Sequence, residues 1–363
     1  MIARSARATS PEPTAGDRLP GDRLLGIGCR GVVLTLRRRI IKLLMNFPIY
    51  EGCLDDYGSA AELARDCAML GLDGLEVVWG CDDYVGELPD SQLIVGYHLV
   101  FFSTWVDFWK GDEAALLAEF GNWEAVRACY GAETRAGLIA RYRADLHRAL
   151  DLGAEYVVFH VSDVLMHEGF TYEFSHTDRE VCDCACELAN QVLDGIDTDV
   201  AFLVENQWWP GFTFCNPTMT RRLLDGIAYD NVGIMLDTGH LMSTTTALRS
   251  QVQAARYIRD LYDAHGDMRK LVRGVHLHQS LTGEYVERTR GIVPEDFVGT
   301  YEQRFARSYQ HILQIDRHDS WDDPIVGDLV RHIAPEWVNN ELSAASRTQR
   351  NDRLLVQLRA LGE

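Results

Sequence analysis

The chain has 363 residues, and 35 Lys and Arg against 54 Asp and Glu leave a formal charge of −19. With 47% hydrophobic and 25% charged residues it has the make-up of a globular protein with a large core, which excludes disordered, collagen-like and coiled-coil classes. The acidity argues against non-specific affinity for nucleic acid or an anionic membrane, and no uncharged apolar run reaches the roughly 18 residues that span a bilayer.

The first segment, residues 1–39, is rich in Arg, Gly and Pro and ends in Arg37-Arg38-Arg39. It holds the apolar piece Gly31–Leu36, but also Glu12, Asp17 and Asp22, and no small-residue cleavage site follows an unbroken apolar core. It reads as a disordered N-terminal extension, with Met45 as an alternative start, followed by one domain over residues 40–363. Nine cysteines, an odd number, read as free thiols in a cytoplasmic protein. Cys182, Cys184 and Cys186 resemble a metal cluster, but every-second-residue spacing in a helical stretch spreads them around the helix, so they read as structural thiols.

From Ile40 onward short apolar runs alternate with amphipathic stretches. The strand candidates are Ile41–Phe47, Gly74–Trp79, Ile94–Phe101, Tyr156–His160, Ala201–Glu205, Gly233–Asp237, Leu271–His276 and Trp337–Leu342. Helices are predicted over Ser59–Leu70, Arg135–Leu152, Asp178–Leu193, Pro217–Leu224, Thr246–Ala264 and Arg347–Leu361. Ser59 with Glu62 and Asn216 before Pro217 are capping signals, and Gly71, Gly153 and Gly226 stand where a left-handed residue ends a helix. Eight strands alternating with helices close most naturally into a (β/α)8 TIM barrel. An open doubly wound sheet is the alternative, but Asn46-Phe47-Pro48-Ile49-Tyr50 is nothing like the phosphate loop that fold favours. Two long connections, Ser103 to about Glu133 and Gln279 to about Pro335 after strand seven, are expected to cover the barrel mouth.

Ionisable residues gather at the strand ends: Glu205 on strand five, Asp237 on six, His276 on seven and Glu341 on eight, with His98 and His160 on strands three and four. In a parallel barrel these ends share one face, and carboxylates and imidazoles converging there need a cation to hold them. The mixed oxygen and nitrogen set suits Mn²⁺ first, with Zn²⁺, Co²⁺, Fe²⁺ or Mg²⁺ as alternatives, and disfavours Ca²⁺. His278, two residues past His276, reads as lying beyond the strand end, outside the set.

Glu205-Asn206, Asp237-x-x-His240, His276 in Val-His-Leu-His and Glu341 in Asn-Glu-Leu together resemble the xylose-isomerase-like TIM-barrel superfamily of sugar isomerases, ketose 3-epimerases, inosose dehydratases and apurinic endonucleases. The resemblance implies that Glu205, Asp237, His276 and Glu341 hold one divalent ion, with Glu205 and Glu341 as the acid/base pair. It further implies that His98, His160, His240, Asp316 and His318 bind substrate or a second metal. The endonuclease branch carries two such strand histidines and an Asp-x-His after strand seven, but here Asp316-Arg317-His318 lies far beyond His276. Trp105, Trp109, Trp208 and Trp209 are candidates for a lid stacking on a sugar ring. The expected function is isomerisation or epimerisation of a sugar or polyol through an enediolate. The alternatives are a dehydratase or lyase on a keto-sugar or inosose and an apurinic-endonuclease-like phosphodiesterase. The expected partners are the small substrate and, for oligomerisation, further copies of the chain, with neither nucleic acid nor membrane.

Overall fold

The computed structural model describes residues 41–80 and 84–362; the extension, with its arginine run, lies outside the described residues. Eight strands close into a parallel barrel in sequence order, as predicted. They are β1 (Lys42–Ile49), β2 (Gly74–Trp79), β3 (Ile94–His98), β4 (Tyr156–His160), β5 (Ala201–Glu205), β6 (Val232–Asp237), β7 (Val272–His276) and β8 (Trp337–Asn340). The open-sheet alternative is excluded because β1 pairs with β8 as well as with β2. Strand β1 runs further than predicted, through Pro48. Its pairing with β8 stops at Met45, so on that side the proline's missing N–H removes no ladder bond.

Side chains alternate between two apolar layers. Leu44, Tyr156, Val158, Ala201, Leu203, Met235 and Trp337 form one buried cluster, while the intervening Val157, Phe159, Phe202, Val204, Ile234, Leu236 and Val338 join the larger core beneath the helices. The smaller cluster is the barrel lumen. Extending its two-residue period puts His160, Glu205 and Asp237 on the inner face at the C-terminal strand ends. Strand β8 stops at Asn340, so Glu341 enters the mouth from the loop just past the strand, not from the strand as predicted.

Ser59 and Asn216 cap their helices as expected, and Gly71 and Gly153 have left-handed backbones. Gly226 does not; it is the last residue of the helix Pro217–Gly226. The predicted helix Thr246–Ala264 starts later, at Gln251, where Ser250 caps it. Both long connections are helical, the first containing Val106–Lys110, Glu113–Phe120 and Trp123–Tyr130, the second Gly283–Thr289, Tyr301–Ile315 and Ile325–Ile333. Among the described residues no helix is long and apolar enough to cross a membrane.

Cys182, Cys184 and Cys186 lie on the helix Asp178–Leu193, buried and free, and burial pushes the Cys184 and Cys186 thiols up to about 11. Thiols raised this far are poor nucleophiles and poor metal ligands.

Candidate metal centre

At the mouth the structure brings together ten side chains whose donor atoms fall into four overlapping groups, each with its atoms within 4.8 Å of one another. His98 and His160 group with Glu205; Glu205 and Asp237 with His276; Asp237 and His278 with Glu341; and His240, His278, Asp316 and His318 with each other. All predicted ligands meet here, including the Asp316/His318 pair. The insertion after β7 is a closed excursion. Gln279 and Asp319 exchange backbone hydrogen bonds at 2.8 and 3.1 Å, pinning its return beside the end of β7. Asp316, immediately after the helix Tyr301–Ile315, then lies 3.3 Å from His240 Nε2.

Three histidines share one arrangement. His98 Nδ1 lies 2.9 Å from Leu99 O, His240 Nδ1 2.9 Å from Asn206 O and His318 Nδ1 3.0 Å from Glu341 O, so each of these nitrogens donates to a carbonyl and Nε2 is turned to the carboxylates of the centre. His276 is held the other way round, with Nε2 3.0 Å from Glu76 Oε2 and Nδ1 turned to the centre. An imidazole anchored by one nitrogen to a carbonyl or carboxylate and open at the other is how proteins present a metal ligand. His98 Nε2 and His160 Nε2 sit only 3.0 Å apart beside Glu205 Oε2.

Among the ten side chains four buried atoms have no hydrogen-bond partner: Glu205 Oε2, His276 Nδ1, His278 Nδ1 and Glu341 Oε2. His276 Nδ1 and Glu341 Oε2 are 2.9 Å apart yet not aligned for a hydrogen bond. Orphaned carboxylate and imidazole lone pairs pointing into one space are what bound cations would satisfy, so the residues fit a divalent metal.

Burial alone would raise the Glu205 carboxyl, but the His160 and His276 imidazoles outweigh it and hold it well below the usual carboxylate range. Burial likewise opposes ionisation of Asp316, and His318 and His240 reverse it. Burial lowers His160 despite Glu205, whereas at His98, His240, His276 and His318 the facing carboxylates overcome burial and raise the imidazoles. His318 has a left-handed backbone (φ 49°), rare for a non-glycine residue, and its ring stacks on His278 at 3.9 Å.

Several site residues were not foreseen. Glu76 on β2 is buried and accepts from Tyr156 Oη (2.6 Å), Asn339 Nδ2 (2.9 Å) and His276. Its signal was there: one carboxylate in the otherwise apolar run Gly74–Trp79. Gly96 makes room for the Tyr156 ring, which a Cβ would meet at 2.2 Å. Gln207 Nε2 donates to Glu205 Oε1 at 3.2 Å. Phe101 is 49% exposed with its ring 4.4 Å from that of His160. His278, set aside as past the strand end, has no exposed surface and faces Asp237 at 2.9 Å.

The aromatic lid is corrected. Trp105 and Trp109 are buried: Trp105 Nε1 donates to Ser162 O at 2.8 Å, Trp109 Nε1 to Glu187 Oε2 at 2.9 Å, and Arg135 lies over the Trp109 ring. Both rings are consumed by packing, Trp109 onto Glu187 of the helix Asp178–Leu193 and Trp105 onto Ser162 in the segment after β4. Trp209 is buried too, whereas Trp208 is half-buried with its ring 5.0 Å from that of His240.

A closed parallel barrel with carboxylates and imidazoles gathered at its C-terminal face places the chain among (β/α)8 proteins with a candidate metal centre. Residues 64–323 match the family described as the xylose isomerase-like TIM barrel, and the chain belongs to that family. No curated protein matches it in sequence. Among solved structures, a D-tagatose 3-epimerase-like protein is 14% identical, with 89% of this chain and 98% of that chain covered at a TM-score of 0.48. The IOLI protein with a binding zinc atom is 14% identical (88% and 96% covered, TM-score 0.47). The probable 3-DHS dehydratase AsbF from Bacillus anthracis is 12% identical (89% and 99%, 0.45).

Proposed function

We propose that the barrel mouth is a multinuclear divalent-cation centre and that the chain is a cation-dependent hydrolase of a phosphate ester. One observation carries this reading. Donors that one ion would leave idle, His98 and His160 on one side and His240, Asp316 and His318 on the other, flank the central set and share Glu205 with it or touch it through His278. A single ion needs about four protein donors, and ten converge here.

Divalent cations, when bound, neutralise phosphoryl charge and acidify water. The chain's own residues then have defined tasks. Glu205 and Glu341 accept protons; Gln207, donating to Glu205, keeps that carboxylate turned inward. Phe101 and Trp208 form the apolar wall on which the organic part of the substrate rests. The net charge of −19 favours a small ester over a long nucleic acid duplex, whose binding depends on Lys and Arg neutralising phosphates.

A second reading, isomerisation or epimerisation of a sugar or polyol, is favoured by one feature. Glu205 and Glu341 approach the same His276 Nδ1, at 3.5 and 2.9 Å, and each keeps an unpartnered Oε2, as an acid/base pair across a substrate carbon would. Elemental analysis with two assays on one sample separates the readings. Two or three ions per chain and chelator-sensitive release of nitrophenol from bis(p-nitrophenyl) phosphate are expected. One ion, no phosphate-ester cleavage, and deuterium from D2O appearing next to a ketose carbonyl would overturn the hydrolase reading in favour of the second.

A further inference from the structure

We propose that His278 is a fourth protein donor to the cation position built by His240, Asp316 and His318, closing that position and giving its ion a structural role. The inference rests on the multinuclear reading above. It goes beyond the donors that the family resemblance supplies, among which His278 has no place.

The backbone of His278 is fixed from two directions. Thr238 Oγ1 and Trp321 Nε1 donate to its carbonyl at 2.6 and 2.8 Å. Its ring packs against Gly239, where a Cβ would stand 2.0 Å from His278 Cε1 and 2.3 Å from Nδ1, so the glycine of Asp237-Thr238-Gly239-His240 is required by this imidazole. The ring also stacks on His318, 3.9 Å away and 2° from parallel. The ring therefore has one orientation, and its two nitrogens have different fates.

Nε2 lies 2.9 Å from Asp237 Oδ2, a carboxylate that can only accept, so this nitrogen carries the proton. In the neutral ring Nδ1 is then a lone pair. It is fully buried, has no hydrogen-bond partner, and its nearest charged neighbour, Asp316 Oδ1 at 3.8 Å, is another acceptor beyond hydrogen-bond distance. A buried acceptor facing only acceptors is a place for a cation; Nδ1 is turned toward Asp316, and His278 offers a ring nitrogen within 4.8 Å of the donor atoms of His240, Asp316 and His318. Four protein donors make a closed site, whereas a position that activates water keeps one place open. The Nε2–Asp237 contact ties this closed position to the central group, so its ion steadies Asp237 for the ions beside it.

The test loads the protein with Co²⁺ and follows release into chelator by visible absorption and elemental analysis. In wild type one ion is expected to leave last, with the strong absorption of a four-coordinate site. In His278→Gln and His278→Asn the slow phase should vanish or quicken about 10–100-fold, the span typical when support around a metal is lost. Melting of the chelated variants checks that they fold. If both misfold, ¹⁵N-histidine spectra of wild type decide: Zn²⁺ loading should shift His278 Nδ1, and an unshifted signal would overturn the proposal. It is also overturned if the variants keep every ion with unchanged release and spectrum, a result that leaves the multinuclear reading standing. A wild-type chain holding one ion instead removes that reading and the proposal with it.

Discussion

Two buried clusters in this molecule are built from the same residue types and differ in one respect. Beneath the first connection, His176 in the segment after β4 stands between Asp163 Oδ1 at 3.0 Å and Asp107 Oδ1 at 3.1 Å, and Asp163 Oδ2 accepts from the backbone N–H of Trp105 and Val106 at 2.6 and 2.9 Å. None of its polar atoms is buried without a partner. At the barrel mouth, by contrast, four carboxylate and imidazole atoms are orphaned despite lying among opposite charges. Histidines and acids buried together are therefore not in themselves a site. A satisfied cluster is a brace holding the connection onto the barrel, and an unsatisfied one awaits a ligand.

Substitutions can break that distinction. Glu205→Gln is expected to lower activity by about 10²–10⁴-fold and to reduce the ion count, while the chelated protein melts no lower than wild type. A large loss of stability with ions retained would make the mouth a brace as well. His176→Ala should do the reverse, costing about 3 kcal/mol of stability in urea unfolding with ions and activity unchanged, since it leaves two buried carboxylates without their partner. The pH dependence has a definite sign. Hydrogen bonds first to Asp107 and then to Asp163 raise the His176 pKa from 6.5 to about 10. Its stabilisation is thus full below about pH 6.5, weakens as the unfolded histidine loses its proton, and is gone above about pH 10. In His176→Ala the stability difference from wild type should shrink across that window; a difference that grows with pH would contradict the brace.

The barrel was legible because its strands are buried on both faces and so read as apolar runs, and their polar last residues stood out against them. Less legible was whatever depends on chain returning from a distance. Asp316 and His318 looked remote from His276, and only the Gln279–Asp319 pairing shows that the intervening helices form a detour that closes on itself. His278 was discounted on strand period, yet the chain past His276 stays buried under Trp321, so the end of the strand is not the end of the site. Tryptophan-rich composition suggested a lid, but composition cannot tell a ring facing the mouth from one packed beneath it. Trp105 and Trp109 are the latter.

The buried support of the centre gives a smaller effect. Glu76 holds His276 Nε2 from below and has no path to substrate, so Glu76→Gln should weaken cation binding about 10–100-fold with little change in activity at saturating metal. Unchanged affinity would make Glu76 part of the core alone.

The smallest expected effect separates the two sets of aromatic rings. Phe101 is half-exposed, with its ring 4.4 Å from that of His160 and 5.3 Å from that of His98, so it borders the mouth without contributing a donor. If the substrate's organic part rests on it, Phe101→Ala should raise KM by about 2–10-fold, the worth of one aromatic contact, with kcat, ion content and melting temperature close to wild type. Trp109→Ala should do the opposite. That ring is 1% exposed, hydrogen-bonded to Glu187 and covered by Arg135, so its removal opens a cavity of the kind that costs about 3–5 kcal/mol and leaves KM alone. The pair is informative because both residues belong to the connection after β3 and differ chiefly in the direction they face. A KM change in Trp109→Ala without loss of stability would mean that the connection moves as a lid after all, and an unchanged KM in Phe101→Ala would place the substrate on the Trp208 side of the mouth, against His240.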